Sequence, residues 1–408
     1  MQIGVLVIGD EILDGIIEDT NGPYISRFLS MFGLQVVEKI EVRDDEKLIK
    51  EALNFLATVC SGVFVCGGLG PTEDDRTREA VSAFLRKKLI FDEKTWENIK
   101  RKLAERGREP LPAYKRMAYI PEEAVVFQNP VGLAPAFLCE RGEKFVAALP
   151  GVPRELKALL PEVCKHLFMK KGDEMLKIFK TVGLKESQVN ELAREALAGL
   201  NVKWGTVLKD AEVWINVKLN RKELELVSSR LKEVFGLYLY GEDEETLEAL
   251  VGKLLKQEGL TLSVAESCTG GLLANLITNV SGSSDYFKGG VVSYLEEIKA
   301  KVLKVREEDI EKYTVYSHEV AKQMAEGVRE LMESDIALST TGIAGPTGGT
   351  PENPVGTVYI GISSREGFTR TFRFNFNYDR LGNKMAFAKA ALDILRRYLV
   401  KDASVRGN

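Results

Sequence analysis

Residues 2–8, apolar or glycine after Gln2, open the chain as a continuous run, the pattern of a strand buried on both faces. A polar segment, Gly9-Asp10-Glu11, follows it. Tyr24, Ile25, Phe28, Leu29 and Phe32 then recur at helical spacing and stop at Gly33. The pattern next predicts a strand over 34–42, a helix over 46–59 and a buried strand over 63–66. Strand and helix alternate, which argues for a parallel sheet covered by helices. This first domain is assigned to residues 1–168.

Residues 169–242 read differently, with helices over 186–197 and 222–235 around an alternating, half-exposed strand over 212–219. They form a small α+β connecting module, and it lacks the G-x-x-G loop of a KH-type RNA binder. Residues 243–408 return to the earlier rhythm. Helices are predicted over 244–256, 272–277, 319–332 and 381–398, and strands over 262–265, 290–293 and 335–339. A Gly- and Pro-rich loop spans 342–356, a hairpin pairs 357–362 with 369–374, and the polar end, 402–408, is expected to fray. The fold class is therefore α/β: two three-layer α/β domains with mainly parallel or mixed sheets, joined by a small α+β module.

Composition narrows the function classes. The 408 residues are 45% hydrophobic and 28% charged, and the net charge of −4 gives no electrostatic footprint for nucleic acid, so direct nucleic-acid binding is not expected. No apolar run approaches the roughly 20 residues of a membrane span. The first residues lack the basic-then-apolar order of a signal peptide. Cys60, Cys66, Cys139, Cys164 and Cys268 are odd in number and scattered, which fits a reducing cytoplasm rather than a disulfide framework or zinc site. Only two histidines occur, His166 and His318, the latter just after a helix cap at Ser317. Both read as structural or solvent-facing, so a general base must come from Lys, Asp, Glu or Tyr.

Two loops of the first domain follow predicted strands, where an open α/β sheet places its ligand. One carries Gly9, Asp10 and Glu11; the other runs Gly67-Gly68-Leu69-Gly70-Pro71-Thr72-Glu73-Asp74-Asp75. Glycines such as Gly67, Gly68 and Gly70 let amides approach phosphate oxygens, with Thr72 beside them. Asp10, Glu11, Asp74 and Asp75 are the donors that a Mg²⁺ or similar divalent metal bridging a pyrophosphate would need. The plainer reading is tight turns, with Asp74 and Asp75 capping a helix that begins near Arg76.

In the last domain a strand delivers Ala265-Glu266-Ser267-Cys268-Thr269-Gly270-Gly271 to a helix. A serine on such a turn suits nucleophilic attack, with helix amides nearby for an oxyanion. It also suits a simple N-cap, and Cys268 is a rival nucleophile. Without a histidine, Ser267 needs a lysine or tyrosine to take its proton, and Tyr294 and Lys299 lie together after another strand. The loop from Ser339 through Thr341 and Gly342 to Gly349 adds hydroxyls and amides at a third strand end.

The run Gly67 to Thr77 resembles the signature loop of the MogA/MoaB-like, molybdopterin-binding fold. Gly9 to Gly15, Asp19-Thr20-Asn21, Asn129 to Pro135 and Leu149 to Glu155 are similar to the CinA branch of that group. The stretches Ala265–Gly271, Gly282-Ser283-Ser284, Gly289–Tyr294 with Lys299, and Thr341–Pro346 resemble the CinA C-terminal domain, which also occurs alone as the nicotinamide mononucleotide deamidase PncC. The resemblance covers nearly the whole chain. It implies a metal-dependent ADP-ribose pyrophosphatase in the first domain and a cofactor-free amidase in the last. By carry-over Ser267 is the nucleophile, Tyr294 and Lys299 activate it, and Thr341 positions substrate or catalytic groups. Thr269, Gly270, Gly271 and Gly342 would line the substrate, and Arg380 would hold its phosphate. The resemblance further implies pyridine nucleotides and ADP-ribose as small-molecule substrates, no membrane partner and a homodimer.

Two positions depart from the family pattern: Ala136 stands where a Gly is usual, and Lys384 where a second Arg is usual. The first would narrow backbone access to a ligand; the second keeps charge but loses bidentate geometry. Two further readings stand beside this one. In the first the N-terminal domain only binds a nucleotide or pterin; in the second the protein serves DNA uptake or repair without catalysis, as the family's link to competence suggests.

Overall fold

The computed structural model describes residues 1–142, 144–168 and 174–407. The chain divides into two compact units, Met1–Leu176 with Lys218–Lys222, and Lys177–Val217 with Glu223–Asn408. The first expected domain boundary, between 168 and 169, falls beside residues outside those described.

The first unit is built on a six-stranded sheet in the order Gln35–Val42, Gln2–Ile8, Gly62–Cys66, Lys144–Leu149, Ala136–Arg141, Val125–Phe127. Its first four strands are parallel, and the last two run antiparallel at the edge. The opening run is buried on both faces because alternate residues serve two cores. Ile3, Val5 and Val7 meet Ile25, Leu29 and Leu156, while Leu6 and Ile8 meet Ile49, Leu53 and Leu56. A sheet clothed by helices on both faces is the three-layer arrangement expected from the alternation. The strands Lys144–Leu149, Ala136–Arg141 and Val125–Phe127 were not among those expected, and two further details differ. The Gly9 loop closes into a one-turn helix, Asp10–Leu13. A further helix, Glu93–Glu105, is capped by Asp92 and buries Trp96, Ile99 and Leu103, a helical spacing visible in the sequence.

The second unit holds a five-stranded sheet, Phe287–Val292, Leu262–Glu266, Ile336–Gly342, Thr357–Ser364, Thr369–Asn375. The first three strands are parallel and the last two form the antiparallel hairpin. Leu262, Val264, Ile336 and Leu338 face the core shared with helix Arg380–Leu399, and Ala265 and Ala337 face helix His318–Leu331. The connecting segment forms a four-stranded sheet, Lys203–Lys209, Glu212–Asn220, Glu174–Thr181, Leu239–Glu242. Most of it clusters with the second unit rather than standing alone, and Val182 and Tyr240 belong to the last domain's core. Buried Lys389 anchors it there, 2.9 Å from Glu212 and 3.0 Å from Glu248. The polar end does not fray: Asp402 caps a short helix, Ala403–Arg406, which buries Val405, while residue 408 lies outside the described residues.

Candidate active sites

In the first unit the two expected loops meet around a cavity of about 670 Å³. Gly67, Gly68, Gly70, Glu11, Asp74 and Asp75 line it, and Thr72 and Asp10 do not. The Asp75 carboxylate accepts from the Gly70 amide at 2.7 Å, the Thr72 amide at 2.8 Å and the Thr72 hydroxyl. Asp75 therefore ties its own loop and does not cap the helix Thr77–Leu85, whose N-cap, Arg76, makes no side-chain bond. Gly70 is required there, because a Cβ would lie 2.5 Å from that carboxylate. Arg78, buried, pulls the loop from behind through the carbonyls of Leu69 (2.6 Å) and Gly70 (2.7 Å).

Asp10 and Asp44 exchange bonds, each amide donating to the other's carboxylate at 3.0 and 3.1 Å. Burial pushes the Asp44 carboxyl up; the Asp10 amide opposes this, and the charges of Asp10, Glu11 and Asp74 reinforce it. The expected metal set is not a ready-made cage. Among the described residues no three His, Cys, Asp or Glu side chains stand close enough to hold an ion by themselves. Asp44 and Arg78 were not singled out in the sequence; an Asp after a strand and an Arg inside a helix carry no signal of which way they turn. Ala136 lies fully buried in the core and does not line the cavity, so its methyl does not narrow ligand access.

In the second unit the strand Leu262–Glu266 ends between its two parallel neighbours and places Ser267 at the sheet's edge of the turn. The Ser267 amide donates to Thr340 O at 2.9 Å. Helix Glu296–Leu303 brings Lys299 back to the same point, its Nζ 3.1 Å from Ser267 Oγ. Nζ also donates to Ser293 O at 2.7 Å and Tyr294 O at 3.3 Å. Lys299 is 1% exposed, and burial lowers its pKa, with Cys268 and Glu296 pulling the other way. A cavity of about 610 Å³ opens over the pair, lined also by Tyr294, Leu295, Glu296, Val315 and Tyr316.

The remaining expected residues are placed less directly. Tyr294 is 60% exposed, and its hydroxyl accepts from Arg380 at 3.1 Å rather than meeting Ser267. Thr341 is buried and donates to Val315 O at 2.7 Å, which makes it a support for the cavity wall. Thr269 is likewise buried, sharing a 2.7 Å hydrogen bond with Thr340. Gly342 packs against the Thr357 carbonyl. Gly270 and Gly271 adopt φ of +59° and +94°, which L side chains rarely tolerate, and a Cβ on Gly270 would lie 3.6 Å from Lys384 Nζ. Arg380, which also bonds Gly345 O, and Lys384 sit one turn apart at the start of helix Arg380–Leu399. Cys268 is buried, and desolvation pushes its thiol up to about 12, which disfavours the thiolate a cysteine nucleophile needs. His318 is exposed and its Nδ1 pairs with Thr371 Oγ1 at 2.8 Å; His166 is exposed with its ring edge-on to Phe127.

One partner escaped the sequence reading. The Glu266 carboxylate accepts from the amides of Gly271, Leu273 and Ala274 at 2.9, 3.0 and 2.8 Å. The helix amides expected to face an oxyanion are therefore occupied. Those of Cys268, Thr269 and Gly270 have no oxygen acceptor among the described residues.

Residues 4–170 match the family described as "Probable molybdopterin binding domain", and residues 244–399 the "CinA C-terminal domain". A "Putative competence-damage inducible protein" of Thermoanaerobacter sp. is 39% identical over 409 residues, covering 98% of this chain and 99% of that one. A "CinA-like protein" of Thermotoga maritima is 36% identical over 404 residues, covering 98% of both. Among solved structures, CinA of Thermoplasma acidophilum is 37% identical, covers 41% of this chain and 99% of that chain, and superposes with a TM-score of 0.39. Full-length identity of this order across both matched domains means that the chain belongs to the CinA family of competence-damage inducible proteins.

Proposed function

We propose that the second unit is a serine–lysine amidohydrolase acting on the carboxamide of nicotinamide mononucleotide. The observation that carries this reading is the contact of buried Lys299 with Ser267. As an ammonium, Nζ would donate to all three of its neighbours. As the neutral amine that burial favours, it has two N–H groups and one lone pair. The carbonyls of Ser293 and Tyr294 only accept, so they take both N–H groups and leave the lone pair facing Ser267 Oγ. Lysine thereby becomes the base that the near-absence of histidine requires.

Ser267 Oγ attacks the carboxamide carbon while its proton passes to Lys299 Nζ. The amides of Thr269 and Gly270, which have no oxygen acceptor among the described residues, would be the donors for the tetrahedral oxyanion. Collapse breaks the C–N bond, Lys299 returns the proton to the departing ammonia, and water then hydrolyses the ester to nicotinate mononucleotide. Arg380 and Lys384 supply the positive charge for the substrate phosphate. Metal-free full-length protein incubated with nicotinamide mononucleotide should release ammonia and nicotinate mononucleotide in equal amounts. Absence of both products sinks the reading.

For the first unit we propose ADP-ribose as substrate, its diphosphate lying along the Gly67–Gly70 loop. Mg²⁺ commonly takes one or two carboxylates and completes its shell with phosphate oxygens. Glu11 and Asp74, one from each loop, would supply those two carboxylates, and a bound cation would relieve the repulsion they exert on nearby Asp44; Asp75 stays with its loop. Such a cation would neutralise charge on the diphosphate. The activity should take the form of metal-dependent AMP release. Binding of ADP-ribose without hydrolysis would instead favour a nucleotide-binding module.

A further inference from the structure

Glu266 is the last residue of the strand Leu262–Glu266, second in its sheet, and stands beside Val292 and Thr340 of the two neighbouring strands. Its main-chain carbonyl accepts from the Ser293 amide at 2.8 Å, and its side chain reaches forward to three amides at the start of the helix Leu272–Thr278, those of the N-cap Gly271, Leu273 and Ala274. It is 1% exposed, and among the described residues no cation pairs with it. An ionised carboxylate in such a place is costly unless its oxygens are fully hydrogen-bonded. An ordinary cap would be Ser, Thr, Asp or Asn at the N-cap position, which Gly271 occupies without any side-chain bond. What the glutamate adds is a tie between the strand end and the helix start, across the turn that carries Ser267.

We infer that Glu266 is a positioning residue, holding the Ser267 turn so that the serine hydroxyl meets the Lys299 lone pair. This rests on Ser267 being the nucleophile, not on the identity of the amide. Residue 266 fixes the turn from one side, and Thr340 O, accepting from the Ser267 amide, fixes it from the other. The tie also fills the helix N-terminus with an internal anion. A substrate phosphate is therefore left to the side chains of Arg380 and Lys384.

The test compares wild type, Glu266→Gln and Glu266→Asp as full-length proteins, with Thr246→Ala as the control. Thr246 caps a different helix of the same unit through the Ala249 amide. Glutamine offers one acceptor oxygen and turns an NH₂ toward at least one of the three amides; aspartate keeps both oxygens on a shorter stem. Two rates are read per folded molecule: ammonia release, and sulfonylation of Ser267 by phenylmethanesulfonyl fluoride with loss of fluoride. Because misplacement by about 1 Å costs about a hundredfold, kcat should fall at least tenfold in Glu266→Gln with KM within about twofold. Sulfonylation should slow in parallel, and Glu266→Asp should fall between, so that the result stands if the glutamine variant does not fold. Thr246→Ala should lose thermal stability and keep both rates. Wild-type rates in either folded Glu266 variant would reduce the glutamate to a stabilising cap and overturn the inference. Labelling of wild type without ammonia release would sink the substrate reading alone, since sulfonylation still reports on Glu266. A wild type that neither labels nor turns over removes Ser267 as nucleophile and the inference with it.

Discussion

Lys299 Nζ lies 3.1 Å from Ser267 Oγ, although the two residues arrive from different strand ends of the second unit. The contact places a buried amine on a serine hydroxyl, the geometry on which the proposed amidase chemistry depends.

If Lys299 acts as the base, burial, which lowers its pKa, sets the pH dependence. Below its lowered pKa the amine is protonated and has no lone pair, so kcat/KM should fall about tenfold per pH unit on the acid side and level off above it. Lys299→Arg, which stays charged, should lose about 10² to 10⁴ in rate. The same shift acts on stability. Between the folded and the ordinary lysine pKa the unfolded chain binds the extra proton, so this group makes stability rise with pH across that window. Thermal melts of wild type and Lys299→Met across that range should differ in slope; parallel curves would contradict a lowered pKa.

Cys268 shares the turn but not the chemistry. With its thiol pushed up to about 12 by burial, Cys268→Ala should keep activity and lose about 1 kcal/mol or more of stability from the emptied core position. Loss of turnover in a folded Cys268→Ala, with turnover kept in Ser267→Ala, would exchange the two assignments.

Arg380 donates to the exposed Tyr294 hydroxyl, so the phosphate proposed to bind Arg380 would share its guanidinium with the phenol. Hydrogen bonds to charged groups contribute about 1.5–3 kcal/mol, so Arg380→Ala should raise KM for nicotinamide mononucleotide at least tenfold. The phosphate-free riboside should be indifferent to the change. Tyr294→Phe should alter KM more than kcat; a kcat collapse would bring the phenol into the proton transfer instead.

The carboxylates of the first unit should separate under mutation. Asp75→Asn removes acceptor capacity from the Gly70 and Thr72 amides and should cost about 1–3 kcal/mol of stability. Asp74→Asn should leave the melting temperature near wild type and shift the metal concentration needed for AMP release. Equal melting losses in both variants would contradict the division.

The alternation of buried runs and helical spacing made the last domain's sheet and the first three strands of the N-terminal sheet legible, as did the loops at their strand ends, because period and glycine placement are local properties. The strands Val125–Phe127, Ala136–Arg141 and Lys144–Leu149 fell outside the predicted elements. Ser267 and Lys299 were legible as types, but their meeting depends on two parallel strands lying side by side. Directions of side chains were not legible. Thr269 and Thr341 turn into the core, Tyr294 turns out to Arg380, and Glu266 and Asp75 turn onto amides. Each of these is decided by which buried donor lacks a partner, a tertiary matter. The polar end misled for the same reason: Val405 finds a core that its neighbours in sequence do not announce.

Ammonia release from nicotinamide mononucleotide by metal-free wild type and Ser267→Ala, side by side, tests the central claim most directly. The account predicts turnover in the wild type and a loss of at least about 10³ in the variant, as for removal of a catalytic nucleophile. Wild-type turnover in Ser267→Ala would contradict it.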